Sequence, residues 1–208
     1  MNRPITLLLV LFIISFIELF AQQSQSKADV SFLPGKEVMP RFAVKTNLLY
    51  DLTSTFNLGA EMRLSYRLSL DLSLNYNPWT FSDNKKFKHI LVQPELRYWL
   101  QEPFNGHFLG THLLYSNFNI GNLNLPLDIF SGLDNSRYRG NAYGLGVSYG
   151  YQWMLSSRWS MEASFGFGYM YADYTRYECK TCGKKIDDRS KHYFGPTKAG
   201  ITLIYTIK

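Results

Sequence analysis

The chain has 208 residues, a formal net charge of +6, a hydrophobic share of 46%, an aromatic share of 16% and only two cysteines. That length suits one domain, and so few cysteines leave its stability to packing rather than to a disulfide framework. Beyond the amino terminus no apolar run is long enough to cross a bilayer as a helix, so the large apolar share has to be distributed by alternation.

The chain opens with "MNRPITLLLVLFIISFIELFAQQ", where Arg3 supplies a positive start, Ile5 to Phe20 an apolar run, and Ala21 a small residue ahead of Gln22 and Gln23. This is the layout of a secretory signal peptide, with cleavage expected after Ala21. A retained anchor is the weaker reading, because the run is short for a bilayer span and Glu18 would sit inside it. No cysteine follows the cut, which argues against a lipoprotein anchor. Residues 22–40, carrying Pro34-Gly35, read as a periplasmic linker, and residues 41–208 as a single domain without internal repeat or low-complexity tract.

Strict alternation begins there. In Arg67 to Pro78, "RLSLDLSLNYNP", Leu68, Leu70, Leu72, Leu74 and Tyr76 oppose Ser69, Asp71, Ser73, Asn75 and Asn77. Side chains on a strand repeat every two residues, so one face is apolar and the other polar. The same split runs through Trp159 to Tyr171, a strand long for a globular sheet but suited to a tilted membrane crossing. On this basis eight strands are expected: Arg41 to Tyr50, Phe56 to Ser65, Arg67 to Asn77, His89 to Leu100, His107 to Asn117, Asn141 to Leu155, Arg158 to Tyr171 and Tyr193 to Ile207. The connections after strands two, four and six are short. Those after three, five and seven are long: Pro78 to Lys88, Phe118 to Gly140 and Ala172 to His192.

This parity predicts an all-β fold, an eight-stranded antiparallel transmembrane β-barrel of the outer membrane, with short periplasmic turns, long outer loops and both termini in the periplasm. A soluble lipocalin-like barrel has the same alternation with the sense reversed. Two features decide against it. The polar face carries Gly59, Gly144, Gly146, Gly150, Gly166, Gly168 and Gly200, which suit a crowded interior. The apolar face ends in aromatics such as Tyr76, Trp79, Tyr98, Tyr143, Tyr151, Trp153, Trp159, Tyr169, Tyr171, Tyr193 and Tyr205, as interfacial girdles require.

Parity turns eight charges inward: Lys45, Arg63, Arg97 and Lys198 against Glu61, Asp71, Glu95 and Glu162. Charges in a narrow lumen must pair, because an ion without a partner is costly to desolvate. The balanced count favours a structural ion network that plugs the lumen over a catalytic pair of carboxylates, and such a barrel would conduct ions poorly. "GLGVSYG", Gly144 to Gly150, lacks the spacing of a dinucleotide loop and no helix follows it. Its glycines, with Gly166 and Gly168, leave room in the outer half of the lumen for side chains such as His112 or Phe194; a small-ligand or acyl-chain cavity is the lesser alternative.

Residues 45–51 "KTNLLYD", 70–89 "LDLSLNYNPWTFSDNKKFKH", 91–100 "LVQPELRYWL", 106–112 "GHFLGTH", 143–153 "YGLGVSYGYQW", the "CKTCGKK" stretch and 193–205 "YFGPTKAGITLIY" resemble the outer-membrane family catalogued as domain of unknown function 3575. The likeness covers nearly all of the expected mature chain. It implies an outer-membrane barrel of Gram-negative anaerobes, sometimes encoded near fimbrial genes, and it implies no established activity or catalytic residues. The terminal "IYTIK" departs from the final aromatic usual in such barrels.

Cys179 and Cys182 form a CxxC that parity places in the last outer loop, where thiolates seldom stay free. A short-range disulfide is preferred, zinc comes second and catalytic redox third; His192 would give a metal site only three scattered ligands. Lysines mark the outer connections: Lys85, Lys86 and Lys88 in one, Lys184, Lys185 and Lys191 in another, expected as a basic rim against the phosphates of outer-membrane lipid and lipopolysaccharide. The function expected is a non-enzymatic membrane anchor whose loops bind lipopolysaccharide, glycan, or a surface or fimbrial protein. The alternatives are a lipid-modifying enzyme, for which His89 and His192 lack a serine, histidine and acid constellation nearby, and a pore, which strand count and lumen charge disfavour. No cofactor, metal or nucleic-acid partner is expected.

Overall fold

A computed structural model describes residues 40–80, 86–121, 136–178, 183 and 185–207. The expected signal segment, nearly all of the linker, Lys85, Cys179, Cys182 and Lys184 lie outside the described residues.

The alternating segments become strands, as period-two burial demands. In chain order they are β1 (Phe42–Asn47), β2 (Phe56–Arg63), β3 (Leu68–Asn77), β4 (Lys86–Trp99), β5 (Gly106–Gly121), β6 (Ser136–Met154), β7 (Trp159–Glu178) and β8 (Lys185–Ile207), with one short helix, α1 (Leu48–Leu52), between β1 and β2. Each strand pairs antiparallel with the next, and β1 pairs with β8, from Phe42 opposite Ile207 to Asn47 opposite Thr202, so the eight strands close into one ring-like sheet. Among the described residues no helix is long and apolar enough to cross a membrane.

The two faces of this ring have inverted polarity. Outward Val147 is 66% exposed and Leu113 62%, whereas inward Glu95 is 0% and Glu61 1% exposed. Charged residues are almost never fully buried unless partnered, so the inward charges need partners inside the ring.

Several element ends differ from expectation. The first strand stops at Asn47 instead of reaching Tyr50, because the Asn47 side chain accepts from the Leu49 backbone N–H at 3.1 Å and caps α1. The apolar pair Leu48-Leu49 also breaks the period of two there. Asp51 is held by the Thr46 hydroxyl at 2.9 Å, and Thr53 donates to the Tyr50 carbonyl at 2.8 Å, so the turn is fixed at both ends.

At the long-connection end the correction runs the other way. Residues 172–192 were expected as a loop, yet β7 and β8 continue as a paired hairpin, with Ala172 opposite Lys191, Asp173 opposite Ser190 and Thr175 opposite Asp188. Polar cross-strand pairs do for this extension what apolar ones do lower down: Thr175 donates to Asp188 at 2.8 Å and Arg176 pairs with Asp187 at 3.3 Å. β4, β5 and β6 also run further than expected, to Lys86, Gly121 and Ser136. The ring is therefore lopsided. Strands β1–β3 hold 6, 8 and 10 residues, while β5–β8 hold 16, 19, 20 and 23.

A second correction concerns β8. The pairing steps from Gly166 opposite Lys198 to Phe167 opposite Pro196, leaving Thr197 as the extra residue of a β-bulge. Proline gives no ladder donor and is tolerated at such a bulge. One extra residue exchanges the two faces beyond it, here as far as a second shift between Arg176 and Tyr177. Phe194, expected to fill the lumen, instead stands on the outer face against Phe167, and Tyr193, expected in the outer girdle, pairs with inward Met170.

Candidate functional site

The interior is built in layers. At the short-turn end Trp99, Phe104 and Phe108 close the floor together with Ala43 and Ile204, and all five are buried. The Trp99 and Phe108 rings lie 4.9 Å apart, and Trp99 Nε1 donates to Ser69 Oγ at 2.7 Å, so the one polar atom of that indole is satisfied. Sequence reasoning missed this floor. Trp99 shares the parity of Arg97, and Phe108 that of His112, which was the signal available; Phe104 sits in a turn at φ 71° and gave no pattern to find.

Above the floor, register lines up like charges. Glu61 is opposite Asp71, Asp71 opposite Glu95, and Glu95 opposite His112, so three carboxylates occupy one row across β2, β3 and β4. Like charges directly opposite repel, and the row exists only because cations enter it from the neighbouring rows. Arg97 is the hub and reaches all four buried acids. Its Nε meets Glu95 Oε1 at 2.7 Å, its Nη1 meets Glu61 at 3.0 Å and Glu162 at 2.7 Å, and its Nη2 meets Asp71 at 3.3 Å. Its guanidinium also lies 4.3 Å over the Phe108 ring, which joins the ionic layer to the floor.

Lys45 comes in from β1 and pairs with Glu61, with Asp71 at 3.2 Å and with Glu162 at 3.2 Å. Lys198, in register with inward Gly166, reaches Glu95 at 2.9 Å. Uncharged donors complete the set: Ser69 donates to Glu61, and Ser148 to Glu95 at 2.9 Å. His112 fills the space over Gly146 and Gly166, where an added Cβ would lie 2.8 Å and 2.9 Å from its ring. Its Nε2 is bound to Thr197 Oγ1 at 2.9 Å, and its Nδ1 stands 3.6 Å from Glu95.

Seven of the eight inward charges thus meet in one cluster, and Arg63 does not. As the last residue of β2 it sits half-buried at the short-turn rim with no ion pair among the described residues, where water can solvate it. The expected balance of four against four becomes three cations on four acids. A cavity of about 30 Å³ remains over the cluster, lined in part by Lys45, Asp71, Asn57, Gln93 and Thr202, a volume large enough to admit water. Floor and cluster together fill the middle of the ring, as an eight-stranded closure predicts.

The long-strand end has a different lining: Phe118, Ile120, Tyr138, Ala142 and Ala172 form a buried apolar cluster with Phe87, Met170 and Tyr174 packed against it. Of the expected basic rim, Lys86 and Lys88 lie at the start of β4, and Lys185 opens β8 with its ammonium 2.5 Å from Asp188. Lys191 does not join them: the Thr197 bulge turns it to the inner face, opposite buried Ala172. On the outer face two arginines placed in the expected loop after strand five stand in β6 instead. Lys88 is opposite Asn119 and Asn119 opposite Arg139; Lys86 is opposite Gly121 and Gly121 opposite Arg137.

The histidines show no nucleophile geometry. His89 Nδ1 lies 3.3 Å from the Phe87 carbonyl, and His192 Nδ1 2.5 Å from the Tyr169 hydroxyl. Among the described residues no three His, Cys, Asp or Glu side chains are grouped as a metal site.

No curated protein matches the chain. A family model described as "Protein of unknown function (DUF3575)" matches residues 7–207. With nearly the whole chain inside that match, the protein belongs to the DUF3575 family.

Proposed function

We propose that this protein is a non-enzymatic outer-membrane β-barrel, an anchor that crosses the bilayer with eight strands and presents its long-strand end to the exterior. The observation that carries the reading is the inverted polarity of the ring. Seven charges are buried and paired inside, while a band of leucine, valine and phenylalanine stands exposed outside, with aromatic residues at both of its edges. Such an arrangement is stable where the surrounding medium is hydrocarbon and every backbone group is satisfied by closure. The plugged middle speaks for an anchor rather than a channel.

An amino-terminal signal peptide delivers the chain to the periplasm, and both termini stay there. The exposed end meets outer-leaflet lipid and lipopolysaccharide, with a surface or fimbrial protein as the second class of partner. Expression in a Gram-negative host followed by fractionation tests the reading. The protein should be found in the outer membrane, migrate faster on unheated than on heated gels, and give a β-type circular dichroism spectrum. A detergent-free soluble monomer overturns it. Planar-bilayer recordings should show little steady conductance, and large stable channels would contradict the plugged interior.

A further inference from the structure

On β6 the outward side chains read, from the short-turn end upward, Trp153, Tyr151, Tyr149, Val147, Leu145, Tyr143, Asn141, Arg139, Arg137. One strand thus passes from aromatic to aliphatic, back to aromatic, then to amide and finally to guanidinium. On β4 the outward positions run from Tyr98 through Leu96, Pro94, Val92 and Ile90 to Lys88 and Lys86, and on β5 from His107 and Leu109 through Thr111, Leu113 and Tyr115 to Asn117 and Asn119, so both strands also end in polar side chains. These strands are neighbours, so their polar ends form one surface. Strands lie about 4.8 Å apart, which sets the Lys88 and Arg139 backbones about 10 Å from each other with only Asn119 between them. In the next row Gly121 separates Lys86 from Arg137 and has no side chain to obstruct it.

We propose that this outward end of β4, β5 and β6 binds the phosphate groups of an anionic glycolipid of the outer leaflet, with Lys88, Arg137 and Arg139 as the cations that hold them. The inference rests on the membrane reading above and names the ligand class of its outer rim. Charge complementarity carries it. No carboxylate stands on the outward face of these three strands in the rows of Lys86 and Lys88; the acid that continues the Lys88 row is Asp188 of β8, already held by Lys185 at 2.5 Å, while Asp173 of β7 stands opposite Asn141. Among the described residues the outward cations of this end are therefore concentrated on β4 and β6, while Lys185 of β8 is held by Asp188.

Height fixes the source of the phosphate. Arg139 is four residues beyond the girdle residue Tyr143, about 14 Å along the strand at 3.4 Å per residue. That is headgroup depth above a tyrosine anchored at the interface. The chemistry suits a phosphorylated sugar: arginine forks match phosphate oxygens in pairs, and the amides of Asn117, Asn119 and Asn141 offer partners to hydroxyls. Arg137 is already oriented, its Nε donating to Asn119 Oδ1 at 2.7 Å, and Asn117 donates to Asn141 at 2.9 Å.

The test uses the full mature chain refolded into phosphatidylcholine vesicles, with bisphosphorylated lipid A as the probe. The triple variant K88Q/R137Q/R139Q should bind it about tenfold more weakly, with a shallower dependence on salt, because three screened charge contacts are lost. R139Q alone, at an exposed position, should show a smaller loss in the same direction. The control R67Q/R158Q removes two arginines at the opposite end, where each bonds a tyrosine hydroxyl, and should bind like wild type. Lipid A stripped of phosphate should bind wild type no better than the triple variant does. Equal binding of bisphosphorylated lipid A by wild type and both rim variants overturns the proposal, as does inorganic phosphate that displaces the lipid at equal concentration. Protein that fails to float with the vesicles overturns the membrane reading itself, an outcome distinct from either.

Discussion

Two linings share the inner face of one sheet. In the middle, short β1–β3 and the facing strands enclose charges: four carboxylates, two lysines and an arginine, none more than 10% exposed at the side chain. Where β5–β8 rise beyond their neighbours, the lining changes to Phe118, Ile120, Tyr138, Ala142 and Ala172. The contrast teaches that inward polarity is not a property of the ring as a whole. Fully buried ions cluster where cations and acids from several strands can reach each other, and Arg97 spans that distance; higher up, the inward pair Arg176–Asp187 is only partly buried. Where no opposite wall supplies partners, apolar packing is the cheaper solution, since an unpaired buried charge costs several kcal/mol.

The comparison can be broken most severely at its hub. Arg97→Met leaves four acids facing two lysines and should destabilise by about 3–5 kcal/mol, read as a lowered urea midpoint in detergent. Pairing it with Glu162→Gln should restore part of that loss, because the two residues are directly coupled. A cluster in which the double variant is as unstable as the two singles added together would not be an ion network. One step down, Trp99→Phe removes the donor that holds Ser69 and should cost about 1–3 kcal/mol in the same assay. In the apolar layer, Ile120→Val should cost only about 1 kcal/mol and shift the midpoint by a correspondingly small amount. The smallest effect belongs to the outer hairpin: Lys185→Gln breaks an exposed pair with Asp188 and should leave the midpoint unchanged at any salt concentration.

Much of this was legible in the sequence, for a physical reason. Alternation is enforced residue by residue when one face of a sheet is apolar and the other polar, so the eight strands and the inward parity of Lys45, Glu61, Asp71, Glu95, Arg97, Glu162 and Lys198 could be read from "RLSLDLSLNYNP" and its counterparts. What escaped was anything that shifts the count by one. The Thr197 bulge moved Phe194 outward and Tyr193 and Lys191 inward, and Pro196 was the only hint of it. Strand ends escaped too. Polar alternation in Asp173 to Tyr177 looks like a loop until its partner strand is in place, and Arg137 and Arg139 were hidden for the same reason. Phe104 contributes to the floor from a turn, where no periodicity exists to reveal it.

The central claim is that the outward face of the ring contacts lipid and the inward face does not. It is tested most directly by photolabelling the refolded protein in vesicles with a lipid carrying a reactive group in its acyl chain, then mapping the labelled residues by mass spectrometry. The account predicts labels on Leu113, Leu145, Val147 and Phe165 and none on their inward neighbours His112, Gly146, Ser148 and Gly166. Labels on both sets alike, or on neither, would contradict it.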